Sequence, residues 1–364
     1  MNRPIFLEVS PDCKYYCWQL EVQLHNFRKY GYSEGYHVLV FTPFDKFISR
    51  KGPQSFWKKL EQKFPEVKFF YYMDSTGELM KQVNDSQYQP LIRPWCLIKH
   101  FESHPELSNE WLFYTDADVL FTSELDFSTL CLDENVGTCF LSYTGKRYPG
   151  GNYLDLYYLE GKKAYVKPEM LAEFENLDIP SLIGKCCNIT RDVIEQNDNG
   201  TGGAQYLLSP GITKEFWEKV FNACKGISSG LKVVNQWFMK GETPLERENN
   251  GYQSFCADMW AVLYCLWESG FKTETPEILD FAWAPDPISR LKEVHILHNA
   301  GVISDFMQVE GVYQNMFFKA KSPYIQNIHT PHAEKDILRQ VTDRYCTRFY
   351  ADELLSIDSI FDNK

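Results

Sequence analysis

The chain has 364 residues, 44% of them apolar and 24% charged. That is the profile of a folded protein with a sizeable core rather than a disordered one. Its formal net charge of −12 weighs against a protein that grips nucleic acid by neutralising phosphates. In chain order, Ile5 to Val9 reads as a short strand and Tyr15 to Tyr30 as a helix, with Leu20, Leu24 and Phe27 at helical spacing and a stop at Gly31. His37 to Phe41 reads as a second strand and Ser55 to Phe64 as a helix ended before Pro65. Val67 to Tyr72 is a third strand, Ile92 to Ser103 a helix, and Trp111 to Thr115 a fourth strand running into Asp116-Ala117-Asp118. This alternation implies an α/β fold with a three-layer, mainly parallel sheet, helices on both faces and elaborated loops. Ligands on such sheets bind beyond the carboxyl ends of the strands, where Asp116 and Asp118 stand.

The middle of the chain is less regular. Thr138 to Tyr143 reads as a further strand, Tyr148 to Tyr153 as a Gly- and aromatic-rich segment, and Cys186 to Gly203 as a polar loop. A helix is expected around Phe216 to Phe221. Another spans Tyr252 to Gly270, closed by its glycine. Phe281 to Pro287 reads as an aromatic loop, and Val294 to Leu297 as a late strand leading into His298. One domain over residues 1–321 with a helical tail over 322–364 is the expected organisation.

Two carboxylates two residues apart, where a strand opens into a turn, can face one divalent cation. Hard oxygen ligands suit Mg²⁺ or Mn²⁺, which bridge substrate phosphates. His298 follows a strand, and a neutral imidazole can complete a carboxylate-held metal shell. Gly301 permits close backbone approach to a phosphate, and Lys319 and Lys321 lie downstream to neutralise phosphate oxygens. Asp258 sits within the apolar stretch Phe255 to Leu263, where a carboxylate is costly unless paired or open to a cleft. It is a candidate sugar ligand or base, or alternatively a helix cap or buried ion pair. Gln205 follows Gly202 and Gly203 and can hydrogen-bond sugar hydroxyls. Arg93 opens a helix and can contact phosphate, and Asp74 follows the third strand.

The D-x-D at a strand end, followed by His298-Asn299-Ala300-Gly301 with a lysine beyond, resembles the GT-A nucleotide-sugar glycosyltransferases. Pro90-Leu91-Ile92-Arg93-Pro94, Tyr114-Thr115-Asp116-Ala117-Asp118 and Cys256-Ala257-Asp258-Met259-Trp260 further resemble the hydroxyproline arabinosyltransferase and peptidyl-serine galactosyltransferase group. The resemblance implies a GT-A fold and a sugar moved from a nucleoside diphosphate, first expected to be UDP, to an acceptor hydroxyl, with retention of configuration. The acceptor would be a glycan, a peptide or a small molecule. It also implies that Asp116, Asp118 and His298 hold Mn²⁺ or Mg²⁺. Arg93, Asp116, Gly301, Lys319 or Lys321, and Asp74 would face the donor, and Asp258 and Gln205 the reacting sugar. The lysine spacing departs from the tight form of the motif and leaves open which lysine acts.

Two other classes compete. The apolar strand followed by D-x-D also fits a haloacid-dehalogenase phosphatase, whose first aspartate is a nucleophile. That motif normally lies on the first strand of its domain, and here three strand-helix units precede it. A GT-A-like scaffold that binds glycan without transfer is the non-enzymatic alternative. No G-x-G-x-x-G follows the first strand, so a nicotinamide enzyme is not expected.

No apolar run approaches the roughly 20 residues of a membrane span, and the N-terminal stretch is too short for a signal peptide. Eleven cysteines occur without a C-x-x-C pair, which predicts reduced, mostly buried thiols in a cytoplasmic protein. Sequons at Asn84, Asn188 and Asn199 then read as chance matches.

Overall fold

A computed structural model of the chain describes residues 3–50, 52–142, 154–240, 251–284, 286–299 and 343–361, with backbone alone at 308–309 and 312–313. It divides into two compact units, one of Met1–Gly77, Leu112–Cys131 and Glu277–Lys364, the other of Glu78–Trp111 and Leu132–Pro276. The first unit begins with β1 (Ile5–Pro11), α1 (Lys14–Lys29), β2 (His37–Thr42), α2 (Phe44–Arg50), α3 (Ser55–Lys63) and β3 (Lys68–Met73). The second takes α4 (Glu78–Ser86) and α5 (Ile92–Ser103). The chain returns to the first for β4 (Leu112–Tyr114) and β5 (Val119–Phe121). The second then receives β6 (Thr138–Leu141), α6 (Leu156–Glu160), α7 (Leu171–Glu175), α8 (Ile179–Cys186), α9 (Arg191–Asn197), β7 (Tyr206–Leu208), α10 (Lys214–Asn235), α11 (Ala257–Glu268) and β8 (Lys272–Glu274). β9 (Phe281–Trp283), β10 (Ile296–His298) and α12 (Thr347–Ser356) complete the first unit.

The fold is α/β with mainly parallel sheets flanked by helices, as the alternation predicts. In the first unit the strands run in the order β3-β2-β1-β4, all parallel. Every residue of β2 is buried, which is why it reads as the unbroken run HVLVF rather than an alternating pattern. Phe6 of β1 meets Phe27 of α1 with ring centroids 5.4 Å apart, and Phe113 of β4 at 5.0 Å. Phe121 of β5 joins the same aromatic cluster, 4.6 Å from Phe27. A second sheet has the order β5-β10-β9. Its Leu120, Ala282 and Leu297 pack with Trp18 and Val22 of α1 and with Tyr350, Ala351 and Leu354 of α12. Alternation along β5 therefore sends Phe121 and Leu120 into different clusters, with α1 contributing to both. The end of the chain is clasped to α1. The buried Glu21 carboxylate accepts from Lys63 Nζ at 2.6 Å, Ser359 Oγ at 2.6 Å and the Ile360 amide at 2.9 Å.

In the second unit β6 pairs antiparallel with β7 and parallel with β8. The long helix α10 buries Phe216, Trp217, Val220, Cys224 and Leu231 along one stripe, and Trp217 lies 6.2 Å from Phe101 of α5. Gly226 lets α10 approach α8 closely, since a Cβ there would stand 2.8 Å from Cys186 Sγ. Gly270, at φ +83°, follows α11 in the left-handed conformation that its closing role requires.

Several local expectations need correction. Cys186 to Gly203 is no simple polar loop: α9 forms within it because Ile194 finds a buried position. Phe281 to Pro287 is not all loop, since β9 pairs with β10 and Trp283 falls opposite His298. The helix expected from Tyr252 starts only at Ala257, and the one around Phe216 extends over 22 residues. The strand expected at Val294 to Leu297 is displaced to Ile296–His298. The segment Tyr148 to Tyr153, the expected domain break after residue 321, and Gly301, Lys319 and Lys321 lie outside the described residues. No described helix is long and apolar enough to cross a membrane.

Candidate metal centre

The site begins with β4. Its ladder with β1 continues one residue beyond the strand, through the Thr115 amide to the Leu7 carbonyl at 3.1 Å. The chain then turns over Asp116-Ala117-Asp118-Val119, with the Val119 amide 3.3 Å from the Asp116 carbonyl. In such a turn the first and third side chains can project together while the buried Ala117 anchors the middle. β5 leaves the turn and pairs antiparallel with β10, His298 falling opposite Val119. The Asn299 amide then donates to the Asp118 carbonyl at 3.1 Å. Backbone register alone thus brings an imidazole from far downstream to the acidic pair.

His298 Nε2 lies 3.4 Å from Asp118 Oδ1 and 3.7 Å from Asp116 Oδ2. One ligand atom from each residue lies within 4.8 Å of the other two. Asp116 is partly exposed, whereas Asp118 and His298 are nearly buried. Trp283 stacks on the imidazole at 4.9 Å and 26° between planes, and Phe281 lies 5.8 Å away. These rings fix the imidazole plane and leave Nε2 aimed at the carboxylates.

The donor set fits a hard divalent ion. Octahedral Mg²⁺ or Mn²⁺ with bonds of about 2.1 Å separates adjacent ligand atoms by about 3 Å, so the observed spacings need only small side-chain rotations. Two carboxylates and an imidazole in a small, partly enclosed volume are donor types that such an ion takes.

The turn is also held from behind. Gln23 of α1 donates through Nε2 to the Asp116 carbonyl at 2.6 Å and to the Val119 carbonyl at 3.0 Å. Tyr36 donates to Gln23 Oε1 at 2.7 Å. Burial, reinforced by Glu8 and Asp116, pushes the Tyr36 hydroxyl well above its ordinary range and keeps it a donor. Asn26, one turn further along α1, pairs with both backbone groups of Phe121, at 3.0 Å to the carbonyl and 2.8 Å from the amide. Sequence reasoning missed Gln23 and Asn26. The available signal was a stripe of uncharged amides, Gln19, Gln23 and Asn26, at helical spacing in a helix otherwise rich in apolar residues.

The second unit contains a different cluster. Asp258 lies in the first turn of α11, where the helix dipole favours a carboxylate. Its Oδ2 accepts from Arg93 Nη1 at 3.1 Å and its Oδ1 from the Tyr88 hydroxyl at 3.0 Å. The Asp258 amide donates back to the same hydroxyl at 2.8 Å. Burial and the neighbouring carboxylate push Tyr88 well above its ordinary range, so it stays protonated and donates. The paired alternative for Asp258 is thus the one observed, with Arg93, near the start of α5, as partner. Tyr88 was not anticipated.

Gln205 is fully enclosed. Its backbone is bracketed by Ser142, whose amide donates to the Gln205 carbonyl at 3.0 Å and whose hydroxyl accepts from the Gln205 amide at 3.0 Å. Gly202 permits this approach, since a Cβ would stand 2.6 Å from the Ser142 carbonyl oxygen. Asp74 is buried after β3 and turns back to accept from the Gly77 amide at 3.0 Å.

No protein-family model and no curated protein matches the chain. Among solved structures it is similar to the apo structure of the bifunctional glycosyltransferase WbbM, at 10% identity and a TM-score of 0.40. The match covers 97% of this chain and 52% of that one, so the chain spans about half the length of this neighbour. Identity and score this low leave fold and site to be argued from the chain's own residues.

Proposed function

We propose that this chain is a metal-dependent glycosyltransferase of the GT-A type, moving a sugar from a nucleoside-diphosphate donor to an acceptor hydroxyl. The observation that carries this reading is the meeting of Asp116, Asp118 and His298 beyond the carboxyl end of a parallel strand. Asp116, Asp118 and His298 would hold Mn²⁺ or Mg²⁺. When bound, such an ion draws diphosphate oxygens to the site and offsets the charge that develops as the diphosphate leaves. The convergence of His298 on the acidic pair favours this over a phosphatase reading, in which the first aspartate must attack phosphorus unencumbered.

Gly301 with Lys319 or Lys321 would complete the diphosphate contacts, and Asp74 would support the nucleoside side. Asp258 would hold the donor sugar or take the acceptor proton, exchanging its bond to Arg93 or Tyr88 for one to substrate. Arg93 would turn to a donor phosphate in the same exchange, and Gln205, enclosed in this structure, would have to be uncovered to contact a sugar hydroxyl. The motif resemblance to arabinosyl- and galactosyltransferases supports retention and a UDP-sugar donor.

The test is a panel of nucleotide sugars with Mn²⁺, scored for release of nucleoside diphosphate. Release that needs the ion and vanishes in Asp118→Ala is the expected result. Turnover that persists in that variant, or no release from any donor, overturns the reading.

A further inference from the structure

The amide of Gln23 spans the acidic turn. Its orientation is set by its surroundings: two carbonyl oxygens, those of Asp116 and Val119, can only accept, so the NH₂ must face them and Oε1 must face Tyr36. Both amide hydrogens are thereby used on the first and last residues of the turn that carries Asp116 and Asp118. The amide group is fully buried, so solvent does not substitute for it. On its other side the turn is held by the Asn299 amide on the Asp118 carbonyl. The turn's own closing contact, at 3.3 Å, is long for an N–H···O bond. The turn is thus held by a clamp from α1 as well as by its own contacts, among them the Thr115 hydroxyl on the Asp116 carbonyl at 3.4 Å.

We infer that Gln23, oriented by Tyr36, is a positioning residue that presets Asp116 and Asp118 for a divalent cation. This rests on the metal reading above and goes beyond it by assigning the ion's affinity to a residue that does not touch it. Buried partners of metal ligands commonly carry about 10- to 100-fold in affinity, and here the partner acts on the ligands' backbone instead of on their side chains. Asn26 offers an internal control, because it fixes β5 by two bonds to Phe121 without touching the turn.

The experiment is Mn²⁺ binding to the full chain without substrate, followed by loss of the free-ion paramagnetic resonance signal. Unfolding midpoints are measured alongside. Wild type is expected to bind. Gln23→Leu is expected to weaken binding roughly 10-fold or more, and Tyr36→Phe, which frees the amide to rotate, by about 3-fold. Asn26→Ala is expected to lower the unfolding midpoint and leave Mn²⁺ affinity within about 2-fold. Should Gln23→Leu fail to fold, Tyr36→Phe decides. Wild-type Mn²⁺ affinity in the folded Gln23 and Tyr36 variants overturns the inference and spares the metal reading. A parallel loss in Asn26→Ala also overturns it, by showing that general loosening is enough. Absence of binding by the wild type overturns both.

Discussion

Asp258 in the second unit is balanced by its neighbours: a guanidinium on one oxygen, a phenol on the other and a helix N-terminus beneath. Asp116 and Asp118 in the first unit converge instead on a third ligand-type side chain, the imidazole of His298. The first arrangement supplies its own counter-charge, and the second brings three ligand-type side chains together. A paired carboxylate has the cost of its burial offset within the chain, and a substrate has to displace a partner to reach it. The second set offers three ligand-type atoms within 4.8 Å of one another, the arrangement that a divalent cation would use. In the sequence Asp258 stands out as a carboxylate within an apolar stretch, and Asp116 and Asp118 as a D-x-D pair where a strand opens into a turn.

The largest expected effect breaks the gathered set. Asp118→Ala should lower kcat/KM for sugar transfer by at least about 10³-fold, or about 4 kcal/mol. The variant should stay folded, as read by its urea midpoint. A variant that unfolds instead would show that Asp118 is structural. Asp258→Asn tests the balanced pair. The amide still accepts from Tyr88 but removes the carboxylate that Arg93 Nη1 pairs with, and about 1–3 kcal/mol of stability should be lost in urea titration. Wild-type stability with wild-type turnover would mean that the pair matters to neither folding nor reaction.

A smaller effect sharpens the role of the aromatic wall. Trp283→Leu removes the ring stacked on His298 and should weaken Mn²⁺ binding by about 3-fold, near 0.7 kcal/mol, read by calorimetry. The smallest concerns a third buried charge, Lys162 in the second unit, over the ring of Tyr158 at 4.4 Å. Burial pulls its ammonium down to about 8. Below that pH it is protonated in both folded and unfolded chains. From about 8 up to its ordinary value the unfolded chain holds the proton more tightly, so stability rises with pH across that window. Lys162→Met should therefore stabilise the protein at pH 7, with the gain shrinking by pH 10. A constant gain across that range would show that Lys162 is not strained by burial.

Much of the first unit was legible in the chain. Parallel strands buried on both faces announce themselves as apolar runs, and the D-x-D after the fourth run could be placed at a strand end before any geometry was known. His298 was legible for the same reason, as a polar residue beside a short apolar stretch. Gln23 and Asn26 were not, because an amide in a helix carries no local mark of what it bonds. Trp283 was assigned to a loop, because a three-residue strand leaves almost no periodic signal. The pairing of Asp258 with Arg93 and Tyr88 was open for a related reason: its partners lie 165 and 170 residues away in sequence.

By itself the sequence determined which residue types were available and where strands and helices alternate, since periodicity and chain-breaking residues act over a few neighbours. The tertiary structure decided which carboxylate meets a cation within the chain and which meets an imidazole. It also decided which amide holds the acidic turn. Those outcomes depend on strand register and on approach between segments distant in sequence, and hydrogen bonds and charges act only across ångströms of real space.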